Sequence, residues 1–381
     1  MTYPEQTKKP KPIKVLAISV RADIGGGPEH LYQLTKHFGD KVQTIIACPE
    51  DVPYFERYQQ LDNVEQVVEI PHRKFRLTSL WKLVKFVKSE KAQLIHSHGK
   101  GAGLYGRLLA LLTRRPCIHT FHGLHVGEYN RVQKSIYLLI EWMLGCFTNS
   151  AICVSRGEKE QILNSKILPK KKLNVVHNGV VVPDTPSKRK FKEDGILKIV
   201  CVNRFDYQKN PELIIDIAKI LKEKTTTPFQ ITVLGRGEKF DQIKEQIKSE
   251  NIQEEVILYG PHPNPRETFR QSDVFLSTSR WEGMPLAVLE AMSEGLVVIA
   301  SDVIGNRDII ENSKTGFLYP NEQPRIAADY LLNFGRKCNV DTGRFSRIQT
   351  IKHYSISRMS EETLKLYYDI LDKLHPSQKK A

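Results

Sequence analysis

Two glutamates in the last third of the chain stand eight residues apart, in a stretch that could bring both carboxylates to one ligand. Glu282 follows the apolar run 273–277, which predicts a buried strand, and Glu290 lies within a predicted helix. Pro285 suits the first turn of that helix and Gly295 suits its end. Glu282 would then lie at the carboxyl end of a strand, where doubly wound sheets bind ligands. Two carboxylates so placed could accept hydrogen bonds from two polyols, although an isolated pair could equally be a solvated glutamate and a helix glutamate.

Basic residues follow another predicted strand, residues 197–203, and suggest what the ligand carries. Arg204 and Lys209 flank the start of a helix opened by Pro211, which suits a diphosphate group. Charge-assisted hydrogen bonds there would contribute about 1.5–3 kcal/mol each. Backbone N–H groups around residues 284–286 would attract an anion as well. Solvated loop cations are the alternative.

The first third of the chain offers two further loops after predicted strands. Gly25, Gly26 and Gly27 follow strand 13–19 and let the backbone approach a phosphate or substrate closely, or simply make a tight turn. The loop departs from Gly-x-Gly-x-x-Gly, which argues against a nicotinamide enzyme. His122 emerges from strand 116–121, where a doubly wound sheet places catalytic-face residues.

Other histidines raise the question of a metal. His96 and His98 end the predicted strand 93–98, but the sequence offers no third ligand at a natural spacing. We therefore expect local hydrogen bonding for this pair, no metal site, and a buried His119 inside its strand.

The stretch Glu-Gly-Met-Pro-Leu-Ala-Val-Leu-Glu-Ala-Met, residues 282–292, resembles the nucleotide-sugar signature of the retaining glycosyltransferases of family four, which have the GT-B fold. Three other motifs are similar to those of the family: Arg-Phe-x-x-Gln-Lys-Asn from Arg204, Gly-x-Gly-Glu from Gly235, and Thr-Phe-His-Gly around His122. The resemblance covers nearly the whole chain and is thinnest between residues 40 and 90, where acceptor recognition should lie.

The resemblance implies an α/β protein with two Rossmann-like, doubly wound parallel-sheet domains, an interdomain cleft and a C-terminal crossing helix. The implied boundaries are an acceptor-binding domain at 1–183, a linker at 184–195, a nucleotide-sugar domain at 196–355, and a crossing helix and tail at 356–381. Two prolines and a lysine cluster in 181–195 favour the linker.

The resemblance also assigns roles to residues. Arg204 and Lys209 would neutralise the diphosphate, Glu290 would bind the ribose hydroxyls, Glu282 would bind the transferred sugar, and His122 would contact sugar or acceptor. The remaining donor-binding positions would be Gly26, Gly235, Gly283, Met284, Pro285 and Leu286, with Gly25 and Glu29 on the acceptor side and the loop 260–263 beside the base. Leu296, Ile304 and Asp308 depart from the usual pattern and blur the sugar preference.

The implied activity is retaining transfer of a hexosyl or N-acetylhexosaminyl group from a nucleotide diphosphate sugar to an acceptor hydroxyl. A UDP-sugar is favoured over GDP-mannose, and a lipid-linked glycan in cell-surface polysaccharide assembly is favoured as the acceptor. The chain lacks an Asp-x-Asp motif, so two cations would replace a metal and no cofactor is expected. Alternatives are a nucleotide-sugar epimerase, an idle scaffold, or a nucleic-acid-binding protein suggested only by the charge.

The 381 residues, 40% hydrophobic and 26% charged, indicate two ordinary globular domains, and the formal charge of +14 suggests an anionic partner. The basic segment 72–91 contains a predicted helix from about residue 79, whose lysines could rest on an anionic membrane or simply face water. Residues 131–147 predict an apolar helix, packed or interfacial, and no run reaches the length of a membrane span. Six scattered cysteines and a polar start predict buried reduced thiols and a cytoplasmic location, possibly peripheral on the membrane.

Overall fold

The computed structural model describes residues 11–124, 129–185, 195–262, 264–334 and 340–374. These residues form two compact units. The first contains the described parts of 1–154, 159–176 and 359–381, and the second those of 155–158 and 177–358. Most of the predicted linker, at 186–194, lies outside the described residues, as does the tail from His375.

The first unit is built on a parallel sheet of seven strands in the order β3-β2-β1-β4-β5-β6-β7. Its central strands are almost entirely buried on both faces, as in a parallel sheet covered by helices. The strands are β1 (Ile13–Ser19), β2 (Val42–Cys48), β3 (Val64–Glu69), β4 (Leu94–His98), β5 (Cys117–Thr120), β6 (Ser150–Cys153) and β7 (Leu173–Val175).

The second unit has a parallel sheet of six strands in the order β10-β9-β8-β11-β12-β13. The chain moves outward from β8 through β9 to β10, then returns to pair β11 on the other side of β8. The topological switch therefore lies between β8 and β11, where open α/β sheets bind ligands. The strands are β8 (Leu197–Val202), β9 (Phe229–Leu234), β10 (Val256–Gly260), β11 (Val274–Ser277), β12 (Val297–Ser301) and β13 (Phe317–Tyr319).

Fourteen α-helices connect or cover these strands among the described residues. They are α1 (Gly26–Phe38), α2 (Tyr54–Gln59), α3 (Leu77–Ser89), α4 (Lys100–Thr113), α5 (Arg131–Gly145), α6 (Arg156–Asn164), α7 (Glu212–Lys224), α8 (Phe240–Ser249), α9 (Pro265–Arg270), α10 (Leu286–Ser293), α11 (Ile304–Ile309), α12 (Pro324–Leu332), α13 (Val340–His353) and α14 (Ile356–Leu374). Within this described part of the chain, none combines the length and apolarity needed to cross a membrane.

The predicted pair of Rossmann-like parallel sheets is confirmed. The strands predicted at 13–19, 93–98, 116–121, 197–203 and 273–277 all lie within one residue of their predicted ends. Helix α13 had no prediction, because its buried stripe consists of small polar residues: Thr342, Ser346 and Thr350. Its apolar side chains Phe345 and Ile348 are exposed, so the usual rule of buried apolar periodicity does not apply.

The cysteines follow the expectation for reduced thiols in part. Cys48, Cys117, Cys153 and Cys201 are buried, and burial raises the pKa of Cys117 to about 12. Cys146, just beyond α5, is exposed and is the accessible thiol among the described cysteines.

Candidate functional site

An ion pair between Lys209 and Glu282 lies at the carboxyl edge of the second sheet. The Lys209 Nζ to Glu282 Oε1 distance is 2.5 Å, and the side chains are 19% and 8% exposed. Ser279 Oγ donates a second hydrogen bond, of 2.7 Å, to the same carboxylate oxygen. The two residues follow β8 and β11, the neighbouring strands at the topological switch, so chain positions 73 apart meet at the predicted ligand edge.

Arg204 is held in the same loop by the carboxylate of Asp206, for which no role was predicted. Its Nε donates to Asp206, and its Nη2 donates to Gln208 Oε1 at 3.1 Å. The backbone N–H of Lys209 donates to the other Asp206 oxygen at 3.0 Å. Asp206 therefore holds the Arg204 side chain and the Lys209 backbone. An aspartate two residues after a strand-end arginine was the available signal, since Asp commonly caps such turns.

Two glycines allow the loops of this edge to approach closely. Gly235 has φ +128°, and a Cβ there would lie 2.0 Å from the carbonyl oxygen of Asn203, so no side chain fits. A Cβ on Gly305 would lie 2.7 Å from the carbonyl oxygen of Gly283. The Gly305 N–H also donates to the Glu282 carbonyl at 3.2 Å, which fixes the backbone that carries the glutamate.

The segment after Glu282 is buried and leads directly into α10. Met284 and Leu286 are buried, and Asn178 Nδ2 donates to the Met284 carbonyl at 2.8 Å. Helix α10 begins at Leu286, so Pro285 is its N-cap and not, as predicted, a residue of its first turn. Glu290 is half-buried in the second turn of that helix.

A group of three histidines lies in the first unit, formed by His30 of α1, His98 of β4 and His122 after β5. One ring nitrogen of each lies within 4.8 Å of the others, and His98 Nδ1 is 3.3 Å from His122 Nε2. Strand β1, which leads into α1, pairs with β4, and β4 pairs with β5, so their carboxyl ends converge. His122 adopts a left-handed conformation with φ +60°, followed by Gly123 at +102°, and this turn aims the chain away from the strand.

Three imidazoles at this spacing are a donor set that could hold a zinc-like ion. Beside His98, the two ligands that sequence spacing did not suggest are His30 from α1 and His122 from the end of β5. His96 is not part of the group, because its ring bonds Tyr367 Oη at 2.7 Å and Thr120 Oγ1 at 2.8 Å, as local hydrogen bonding predicts. His119 is buried and bonds Ser97 Oγ at 2.9 Å.

Burial lowers the pKa of His96, His98 and His119 well below 6.5, so all three are neutral at pH 7. Below pH 6.5 the unfolded chain takes up protons that these folded histidines do not, so the free energy of unfolding should fall with falling pH. Between pH 6.5 and 5.5 the loss is about 1 kcal/mol per histidine, or about 3 kcal/mol for three, because an unfolded histidine is only half protonated at pH 6.5. Urea unfolding across that range measures it, and His119→Gln should reduce the slope by about one proton; an unchanged slope contradicts the assignment.

The predicted acceptor-side residues lie around the start of α1. Gly25 is the N-cap and Gly26 the first residue of the helix. Glu29 accepts hydrogen bonds from Tyr54 Oη and, at 2.7 Å, from Gln33 Nε2. The carboxylate of Glu29 is therefore fixed by α2 as well as by its own helix.

Two units, each built on a parallel Rossmann-like sheet, are the architecture of the GT-B class. The structure of Anabaena HepE in complex with UDP-glucose matches with a TM-score of 0.79 at 16% identity, covering 94% of this chain and 100% of that one. That likeness establishes the GT-B fold.

Family comparison identifies the class more closely. The model of Glycosyltransferase Family 4 matches residues 24–182, and that of Glycosyl transferases group 1 matches residues 184–335. An Escherichia coli UDP-Gal:alpha-D-GlcNAc-diphosphoundecaprenol alpha-1,3-galactosyltransferase is 30% identical over 319 residues, covering 77% of this chain and 80% of that one. The Escherichia coli O-antigen biosynthesis glycosyltransferase WbnH is 28% identical, covering 81% and 86%. The chain belongs to glycosyltransferase family four and is a glycosyltransferase.

Proposed function

We propose that this enzyme transfers a hexosyl or N-acetylhexosaminyl group from a UDP-sugar to a hydroxyl of a lipid-linked glycan, with retention of configuration. The observation that carries the proposal is the meeting of Arg204, Lys209 and Glu282 at the switch between β8 and β11. Cations beside a buried carboxylate match a donor with a diphosphate at one end and sugar hydroxyls at the other.

The relatives support both substrate classes. HepE was solved with UDP-glucose, and the galactosyltransferase named above uses UDP-Gal and a diphosphoundecaprenol-linked acceptor. Its product is α-linked, and galactose is α-linked in UDP-galactose, so that reaction corresponds to retention. A lipid-linked acceptor also supports action at the cytoplasmic face of a membrane.

The residues divide the work as follows. Arg204 and Lys209 bind the diphosphate and stabilise the negative charge that builds on it as the sugar leaves. Glu282 accepts hydrogen bonds from the sugar, Glu290 accepts them from the ribose, and His122 contacts sugar or acceptor. Lys209 exchanges part of its contact with Glu282 for the diphosphate, so the ion pair keeps the lysine in place before the donor arrives.

In the proposed step, the bond between the anomeric carbon and the diphosphate oxygen breaks as the acceptor oxygen bonds to the same face of that carbon. The acceptor's proton passes to the departing diphosphate oxygen, so no covalent enzyme intermediate forms. Closure around the donor would exclude water and limit its hydrolysis.

The test is a donor screen followed by a product analysis. UDP- and GDP-sugars are compared for thermal stabilisation, and the best donor is then incubated with lipid-linked saccharide acceptors. We expect UDP release that depends on the acceptor. We also expect a product whose anomeric proton coupling shows the same configuration as the sugar had in the donor, which is retention. UDP release at the same rate without acceptor would favour an epimerase, and an inverted product would reject the retaining mechanism.

We expect EDTA to leave the transfer rate within about twofold of the untreated enzyme, since two protein cations can stabilise the leaving diphosphate without a metal. The measurement is the initial rate after dialysis against EDTA, with Mg²⁺ or Zn²⁺ restored in parallel. If EDTA removes the activity, and Zn²⁺ restores it in the unmodified enzyme but not in His98→Ala, a metal would instead be assigned to the histidine group.

A further inference from the structure

Helix α5 exposes an apolar stripe along its outward face. Val132, Ile136, Leu139, Ile140 and Met143 recur at the i, i+4, i+7, i+8 and i+11 positions that share one side of a helix. They are 45–67% exposed, and Trp142 beside them is 56% exposed. A contiguous apolar patch of this kind on a monomer indicates an interaction surface.

The orientation of this stripe is set by a buried ion pair on the opposite side of the helix. Glu141 Oε2 accepts a hydrogen bond from Arg107 Nη1 of α4 at 2.6 Å, and both side chains are almost fully buried. Turning α5 to bury its apolar stripe would separate this pair and leave two charges without their partner, at a cost of several kcal/mol. The outward position of the stripe is thus part of the folded unit.

The exposed charges of α5 and of the two helices before it in the sequence, α3 and α4, indicate what kind of partner would bind the stripe. Helix α4 packs between α3 and α5. Glu141 is the sole carboxylate within the bounds of these three helices, and it is buried. Their exposed charges are all positive: Lys82, Lys85, Lys88, Lys100, Arg131 and Lys134.

We propose that the outward face of α5 inserts into the surface of an anionic lipid bilayer, with exposed cations of α3, α4 and α5 against the headgroups. An apolar stripe with a tryptophan beside it, in a group of helices whose exposed charges are positive, suits the boundary between headgroups and acyl chains. A second copy of the chain suits it less, because the exposed charges of α3, α4 and α5 are all positive and would face a surface of the same sign. The proposal deepens the proposed function, since a lipid-linked acceptor lies in such a membrane.

The test compares two double variants in sedimentation with vesicles of phosphatidylcholine containing about one third phosphatidylglycerol. Leu139→Ser with Met143→Ser should weaken vesicle binding by about tenfold or more, since both side chains lose their apolar burial in the lipid. Ile348→Ser with Ile351→Ser is the matched control, because these α13 residues are about as exposed and as apolar. The control should bind like the unmodified enzyme.

A second readout places the helix in the membrane. An environment-sensitive dye on exposed Cys146, with Cys338→Ser, should shift to the blue with these vesicles and less with pure phosphatidylcholine. Equal vesicle binding by both double variants overturns the proposal, as does a dimer in sedimentation velocity that only the α5 variant dissolves. If vesicle binding follows the proposal while no activated sugar is transferred, the proposed function fails and the docking surface stands.

Discussion

Replacing Glu282 by alanine should lower kcat/KM for sugar transfer by about 10²–10³ while the protein remains folded. The carboxylate is nearly buried, accepts hydrogen bonds from Lys209 Nζ and Ser279 Oγ, and lies at the switch between β8 and β11. Without this carboxylate the transferred sugar loses a hydrogen-bond acceptor, and Lys209 loses the group that holds it in place. The measurement is steady-state transfer with the donor found by the screen.

Glu282→Gln separates two contributions, because glutamine keeps the shape and some hydrogen bonding but removes the charge. We expect it to retain more activity than alanine while still losing most of the transfer rate. Glu322→Ala is the control, since that exposed glutamate pairs with Arg280 in the same unit. Turnover by Glu282→Ala within about threefold of the unmodified enzyme would remove Glu282 from the proposed mechanism, since each tenfold corresponds to about 1.4 kcal/mol.

Replacing Arg204 and Lys209 together by alanine should weaken UDP binding by about 10²–10⁴. Two charge-assisted hydrogen bonds at about 1.5–3 kcal/mol each predict a combined loss of about 3–6 kcal/mol. Asp206 accepts a hydrogen bond from the backbone N–H of Lys209, which alanine retains, so the loop should keep its conformation in the double variant. Titration calorimetry with UDP measures the change directly.

Long-range attraction by the net positive charge is the competing explanation for weaker binding. The control is therefore Arg325→Ala with Lys222→Ala, which removes the same two charge types from exposed positions of the same unit. This control should change the Kd by less than about threefold at physiological salt, where distant charges are screened. Equal losses for the two double variants would reject a direct diphosphate contact.

The strands were predictable because a parallel sheet buried on both faces leaves continuous apolar runs, as in 13–19 and 42–48. The ligand edge was predictable for a related reason: glycine, cationic and acidic residues cluster where such runs end. Helix α13 was not predictable, since Thr342, Ser346 and Thr350 pack inward there and no apolar stripe marks the buried face.

The histidine group shows where spacing along the chain stops being informative. His30, His98 and His122 belong to three different segments, and they converge because β1, β4 and β5 are adjacent and parallel. His96 and His98 project from the same face of β4, with ring centroids 4.0 Å apart, and the sequence presents them as a pair. Their partners differ, because His96 bonds Tyr367 and Thr120 whereas His98 approaches His122. Strand order, which local patterns do not encode, brought the third imidazole in from α1.

Residue types and their order were enough to place two β/α units, the loops that could contact a ligand, and the family to which the chain belongs. Only the folded chain joins Lys209 to Glu282 across 73 positions and holds the loop of both cations through Asp206. Likewise, periodicity shows that α5 has an apolar side, but the buried contact between Arg107 and Glu141 turns that side outward. Local sequence reports the preferences of a segment, whereas pairing between distant segments depends on strand order and on the free energy of burying charge.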